Sequence, residues 1–266
     1  MNKIRNILLA VIMPTLVYLT QSCTKHEIPV KGELVSGAKV AFVQASEKSA
    51  SVAFYANGFK ISSSSVLASG VYGGANSKGT RFPQSDYCIF PSGSTDIATY
   101  ILGKVNVDSI QTSSLPSVQL TEDKAYTYYY YDNPDGTQTA KVIEDNLTTI
   151  DPDKATIQFV NLVSNAGDSI QLRVTSTSES PAPALPYTLF DRQNFESLSA
   201  NSYGYNFTGT TNSYTLTFEV WFVGTIPKKL VTKTSEVVTR GRMYTVLAYG
   251  SKNGTVGFLK FINKAY

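Results

Sequence analysis

The chain has 266 residues, with 23 Lys and Arg, 20 Asp and Glu, one His and two Cys. Removing residues 1–22 takes away Lys3 and Arg5 and no acid, leaving 21 cations against 20 acids with no Lys/Arg stripe to follow a phosphate backbone, so no nucleic acid is expected as a partner. Charged residues are 16% of the chain, against about 25% in ordinary soluble domains, and the abundant Ser, Thr, Asn and Tyr suit an extracytoplasmic β protein.

The first element is a leader. Lys3 and Arg5 precede an apolar run over residues 7–19, broken by Pro14 and followed by the polar Thr20-Gln21-Ser22. This is the layout of a secretory signal peptide, 1–22, and it is shorter than the about 20 apolar residues a spanning helix needs. Cys23 follows Ser22 directly. That placement resembles the bacterial lipobox, in which the cysteine becomes the new N-terminus and its sulfur, a nucleophile, takes diacylglycerol. Thr20 and Gln21 stand where the usual box has Leu and a small residue, a looseness similar to that of Bacteroidetes lipoproteins. The resemblance implies lipid attachment at Cys23 and an outer-membrane location, surface or periplasmic face open. The alternative is an ordinary cleaved signal, with Cys23 free to pair with Cys88. Residues 23–36, with Pro29 and Gly32, read as a tether.

Beyond the tether the chain repeats itself. "AKVAFVQAS" (38–46) is echoed by "ATIQFVNLV" (155–163) at an offset of 117, and "DKAYTYYYYDNPDGT" (123–137) by "GRMYTVLAYGSKNGT" (241–255) at 118. The same offset of 118 pairs Tyr87 with Tyr205, Tyr100 with Phe218 and Leu120 with Val238. Near-constant offset over a hundred residues identifies a duplication. Within each copy the pattern has period two. Val52, Phe54 and Ala56 alternate up to an Asn57-Gly58 turn, Leu216, Phe218, Val220 and Phe222 alternate against polar neighbours, and 243–262 reads as two strands joined at Ser-Lys-Asn-Gly. The expectation is all-β: two tandem immunoglobulin-like β-sandwich domains, 37–147 and 154–266, joined by a short linker at 148–153 and placed end to end.

Residues 38–61 resemble the opening of the family catalogued as domain of unknown function 4397, whose members begin with an "a-x-v-r-f-v-h-a-s" strand and a "v-d-v-y-v-n-g" strand. Phe42-Val43, Ala45-Ser46, Val52, Tyr55 and Asn57-Gly58 carry the match. The second copy keeps Phe159-Val160-Asn161 and lacks the Asn-Gly end. The resemblance implies a secreted or lipid-anchored β-rich protein, often duplicated, and transfers no catalytic residue.

Chemistry-bearing residues are few. His26 is the only histidine and lies in the tether, without the third group on a rigid scaffold that a nucleophile–base device requires. No metal site and no cofactor are expected, since zinc would have to be held by carboxylates alone. "DNPDG" (132–136) reads as a hairpin loop with too few alternating carboxylates for calcium. "GVYGGANSKG" (70–79) lacks the ending of a phosphate loop. The run "YTYYYY" (126–131) places Tyr126, Tyr128 and Tyr130 on the core face, and Tyr129 and Tyr131 on the other, where rings on an open face would stack on a glycan or a partner; the alternative is that a loop or the neighbouring domain covers them. Asp108-Ser109-Ile110 and Asp168-Ser169-Ile170 resemble the Asp-Ser/Thr-aliphatic pattern at which Bacteroidetes attach O-glycans, making Ser109 and Ser169 candidate acceptors. The resulting expectation is a non-enzymatic, lipid-anchored envelope protein acting as a binding or adhesion module. The alternatives are a periplasmic scaffold and an envelope-polymer hydrolase, the latter needing two carboxylates to converge in one cleft.

Overall fold

The computed structural model describes residues 36–265, apart from 50, 63–64, 67–71, 74–75, 78, 84–85, 102–109, 148–150, 167–168, 177–186, 200–202 and 208–211. Cys23, His26 and Ser109 therefore lie outside the described residues, as do the signal peptide and most of the tether. Residues 36–265 belong to one compact unit, whose described residues are strand, turn and loop.

In chain order the first copy contributes β1 (Ala38–Gln44), β2 (Ser51–Ala56), β3 (Phe59–Lys60), β4 (Ser65–Val66), β5 (Tyr72–Gly73), β6 (Asn76–Ser77), β7 (Thr80–Phe82), β8 (Cys88–Phe90), β9 (Gly93–Ile101), β10 (Ile110–Leu120), β11 (Ala125–Asp132) and β12 (Gln138–Glu144). The second contributes β13 (Lys154–Ser164), β14 (Ile170–Ser176), β15 (Tyr187–Gln193), β16 (Ser197–Leu198), β17 (Tyr203–Asn206), β18 (Ser213–Phe222), β19 (Lys228–Thr239), β20 (Arg242–Ser251) and β21 (Val256–Ala265). Each copy makes two facing sheets. In the first these are β12-β11-β1 with β7 and β8, and β10-β9-β2 with β3 and β6. In the second they are β21-β20-β13 with β16 and β17, and β15-β14-β18-β19.

The duplication is exact in register. β1 pairs parallel with β11, Phe42 opposite Tyr128, and β13 pairs parallel with β20, Phe159 opposite Val246; the offsets of 117 and 118 carry one pair onto the other. Alternation supplies the cores. Val52, Phe54, Phe42, Tyr128 and Ile97 are fully buried between the first two sheets, and Phe159, Leu172, Phe218, Val220 and Val246 between the second two. At Asn57-Gly58 both residues have positive φ, 48° and 80°, the two-residue turn that matches strand twist. Tyr126 OH accepts the Thr121 N–H at 3.2 Å and Tyr244 OH the Thr239 N–H at 2.9 Å. This is the tyrosine corner of immunoglobulin-like sandwiches, present once in each copy.

The end-to-end expectation is corrected. The β1/β11 sheet and the β13/β20 sheet pack back to back, so the molecule has four sheet layers. Val43, Ala45, Tyr129 and Tyr131 of the first copy meet Val160, Leu162, Leu247, Tyr249 and Phe261 of the second in a third apolar cluster. The cause is in the sequence of both central strand pairs: their outer faces also carry apolar side chains, Val43, Tyr129, Val160 and Leu247 among them, and such a face needs a cover.

Candidate functional site

Parallel pairing of β1 with β11 and of β13 with β20 sends four chain segments out at the same end of the molecule. There the loops after β1 and β13 and the hairpin turns β11–β12 and β20–β21 enclose an open cleft of about 460 Å³, lined by Glu47, Lys48, Asp132, Asp135, Asn165 and Ser251 among others. Both copies contribute to it. Ser46 Oγ donates to Asp132 Oδ1 at 2.6 Å, and Ser164 Oγ donates to the Gly250 carbonyl at 3.0 Å. Glu47 N–H donates to Asp132 Oδ2 at 2.8 Å, Lys48 Nζ to the Gly136 carbonyl, and Asn165 Nδ2 to the Pro134 carbonyl at 3.4 Å.

Three carboxylates thus meet at one cleft, a convergence the sequence did not announce. "DNPDG" is a hairpin loop, and it is also half of this cleft. The signal was present in the second copy, whose "SKNG" turn occupies the equivalent place. Asp132 and Asp135 are both engaged within the protein. Both oxygens of Asp132 already accept protein hydrogen bonds. Asp135 accepts from the Thr137 N–H at 2.8 Å and from its hydroxyl at 2.7 Å, and these bonds hold it below the usual carboxylate range, whereas a general acid needs the reverse. Among the described residues no three His, Cys, Asp or Glu side chains are grouped to hold a metal ion.

Tyr129 and Tyr131 are corrected. They are 0% and 2% exposed, sealed in the seam between the copies, with the Tyr131 ring 5.8 Å from Phe195. The core-face assignment of Tyr126, Tyr128 and Tyr130 holds, but the rings on the other face pack against the second sandwich. Cys88 is a free thiol on β8, and burial pushes its pKa up to about 11, so it is not a reactive nucleophile. Ser169 lies on the short link into β14, half-buried, its carbonyl accepting the Val223 N–H at 2.7 Å.

Beside the apolar seam lies a polar one. Asp145, 5% exposed, accepts from Tyr87 OH at 2.9 Å and Thr127 Oγ1 at 2.7 Å through Oδ2, and Asn263 of the second copy donates to Tyr87 OH at 3.0 Å. The Arg81 guanidinium lies 4.8 Å from the Tyr87 ring and 5.1 Å from Phe261. Burial lifts the Asp145 carboxyl to about 6, opposed by its two hydroxyl donors and by Arg81.

The family model for "Domain of unknown function (DUF4397)" matches residues 38–173, the whole of the first sandwich and the second as far as β14. The chain belongs to this family. The DUF4397 match begins at the first residue of β1, and its description assigns no activity. No curated protein matches the chain. Among solved structures the DUF4397 chain is similar to wild-type pneumolysin, at 10% identity over 64% of this chain and 40% of that one with a TM-score of 0.23. It is also similar to a leucine-rich repeat protein from Bacteroides thetaiotaomicron VPI-5482, at 10% identity over 76% and 24% with a TM-score of 0.19. The chain thus spans less than half of either protein, and likeness at this level carries no argument about function.

Proposed function

We propose that this DUF4397 protein is a non-enzymatic, lipid-anchored module of the bacterial envelope, held in the outer membrane at Cys23 and presenting the loop end of its seam to a glycan or an envelope protein. The observation that carries the reading is the polarity of β1. The chain enters the body at Ser36-Gly37 and the cleft opens past Gln44 at the other end of that strand, a separation of about 23 Å for seven strand residues. The first residues of the body therefore lie at the end away from the cleft. Residues 24–36 reach at most about 45 Å when extended, enough to lift the body clear of headgroups, and two or more acyl chains anchor stably where one does not. The cleft volume lies within the range of ligand sites, and its lining of amides, hydroxyls and carboxylates suits hydroxyl-rich or cationic groups. Hydrolysis of an envelope polymer is disfavoured by the hydrogen bonds that keep Asp135 ionised.

The test is fractionation and protease shaving of intact host cells carrying the wild type or Cys23→Ala. The wild type is expected in the membrane fraction and the variant outside it; a variant that stays in the membrane overturns the anchor. Digestion of the wild type on intact cells assigns the outer face. Protection until the outer membrane is opened assigns the periplasmic face and a scaffolding role.

A further inference from the structure

The two copies diverge at one edge. In the first, Lys124 Nζ pairs with the Glu144 carboxylate at 2.7 Å. The residues 118 further on are Arg242 and Ile262; Tyr126 stands opposite Glu144 and Tyr244 opposite Ile262, and a register shift between Met243 and Tyr244 sets Arg242 opposite Ala265. The second copy has kept the cation and replaced its carboxylate by an apolar side chain. Arg242 is half-buried, and among the described residues its side chain has no hydrogen bond, ion pair or ring contact.

The released guanidinium opens on a groove of about 340 Å³ between the β19 and β21 edges, lined also by Val237, Tyr244, Lys260, Phe261 and Ile262. Val237 is 50% exposed, a large aliphatic side chain at the mouth. The other cation is already engaged: Lys260 Nζ donates to the Val237 carbonyl at 2.5 Å and pairs with Glu236 at 3.0 Å. In the first copy its position is held by Val142. The groove therefore offers one uncompensated, two-pronged cation at the side of an apolar floor.

We propose that this groove binds a small amphiphilic carboxylate of the medium-chain fatty-acid kind. Its carboxylate takes the place that Glu144 holds in the first copy, accepting two parallel N–H bonds from Arg242. Its chain lies on Val237 and Ile262. Charge complementarity fixes the acid end, and the volume, at the low end of the range for ligand pockets, fits a small molecule and excludes a folded partner. The site is distinct from the cleft at the loop end and does not depend on anchoring.

The test is isothermal titration of the full mature chain with decanoate below its micellar concentration, with decanol and acetate as controls for the two halves of the ligand. Saturable binding of decanoate is expected, at least tenfold tighter than that of decanol or acetate. Ile262→Glu rebuilds the ion pair of the first copy within the protein and should weaken decanoate at least tenfold. Arg242→Gln should do the same, and Lys124→Gln should change nothing. Thermal melts of each variant check folding, and Arg242→Gln keeps the test decisive should Ile262→Glu fail to fold. Absence of saturable binding, equal affinity for decanol, or undiminished binding by folded Arg242→Gln overturns the proposal, and none of these outcomes touches the fractionation result.

Discussion

At the scale of single residues, the same side chain does the same work twice. Tyr126 and Tyr244 each pin the turn that precedes their strand, and each ring is also core. A net hydrogen bond contributes about 1 kcal/mol, so Tyr244→Phe is expected to lower unfolding free energy by about that much. Tyr126→Phe should add independently, since the two corners share no partner; urea titration of the two single variants and the double variant measures it. Asp145 sets a pH dependence. An unfolded Asp ionises near 3.9, whereas burial holds the folded carboxyl near 6. The stability from its neutral form is therefore complete below pH 4 and is lost as pH rises through 6, about 3 kcal/mol in all. Asp145→Asn should flatten the stability profile between pH 4 and 7, and a variant whose slope matches wild type counts against this assignment.

At the scale of elements, the seam depends on close approach. Gly79 has a φ of 70°, and a Cβ there would fall 2.5 Å from the Tyr249 hydroxyl of the other copy. Gly79→Val combines left-handed backbone strain with that clash, and a loss of at least 2 kcal/mol is expected on thermal or urea unfolding. Leu247 is fully buried on the outer face of β20, so Leu247→Ala should cost about 2–5 kcal/mol. Residual stability near wild type would mean that the seam does not hold the sheets together. The period-two alternation of β2 and β18 was legible because one face of each is polar and solvated. β1, β11, β13 and β20 were harder to read: apolar on both faces, they show no alternation that tells an exposed side from a covered one.

At the scale of the whole molecule, the seam makes two sandwiches one cooperative body. Calorimetry of the mature chain should show a single unfolding transition. Residues 37–147 expressed alone would expose Val43, Tyr129 and Tyr131, and should bind a hydrophobic dye strongly or self-associate. Two well-separated transitions in the intact chain would show that the copies fold independently.

Strand content and the duplication could be read from the sequence alone. Side-chain alternation and turn chemistry are local, and the 117–118 offset needs only the chain written out twice. Membership of the family was legible for the same reason, in Phe42-Val43 and Asn57-Gly58. What lies against the outer face of β11, and with it the fate of Tyr129 and Tyr131, depended on how the two copies pack. An apolar ring fits an open binding face and a buried seam equally well until its neighbour is placed. The cleft and the Arg242 groove are also tertiary facts. The first joins residues more than 200 positions apart, from Glu47 to Thr255. The second exists because two aligned positions, 144 and 262, were free to differ once each copy had its own core.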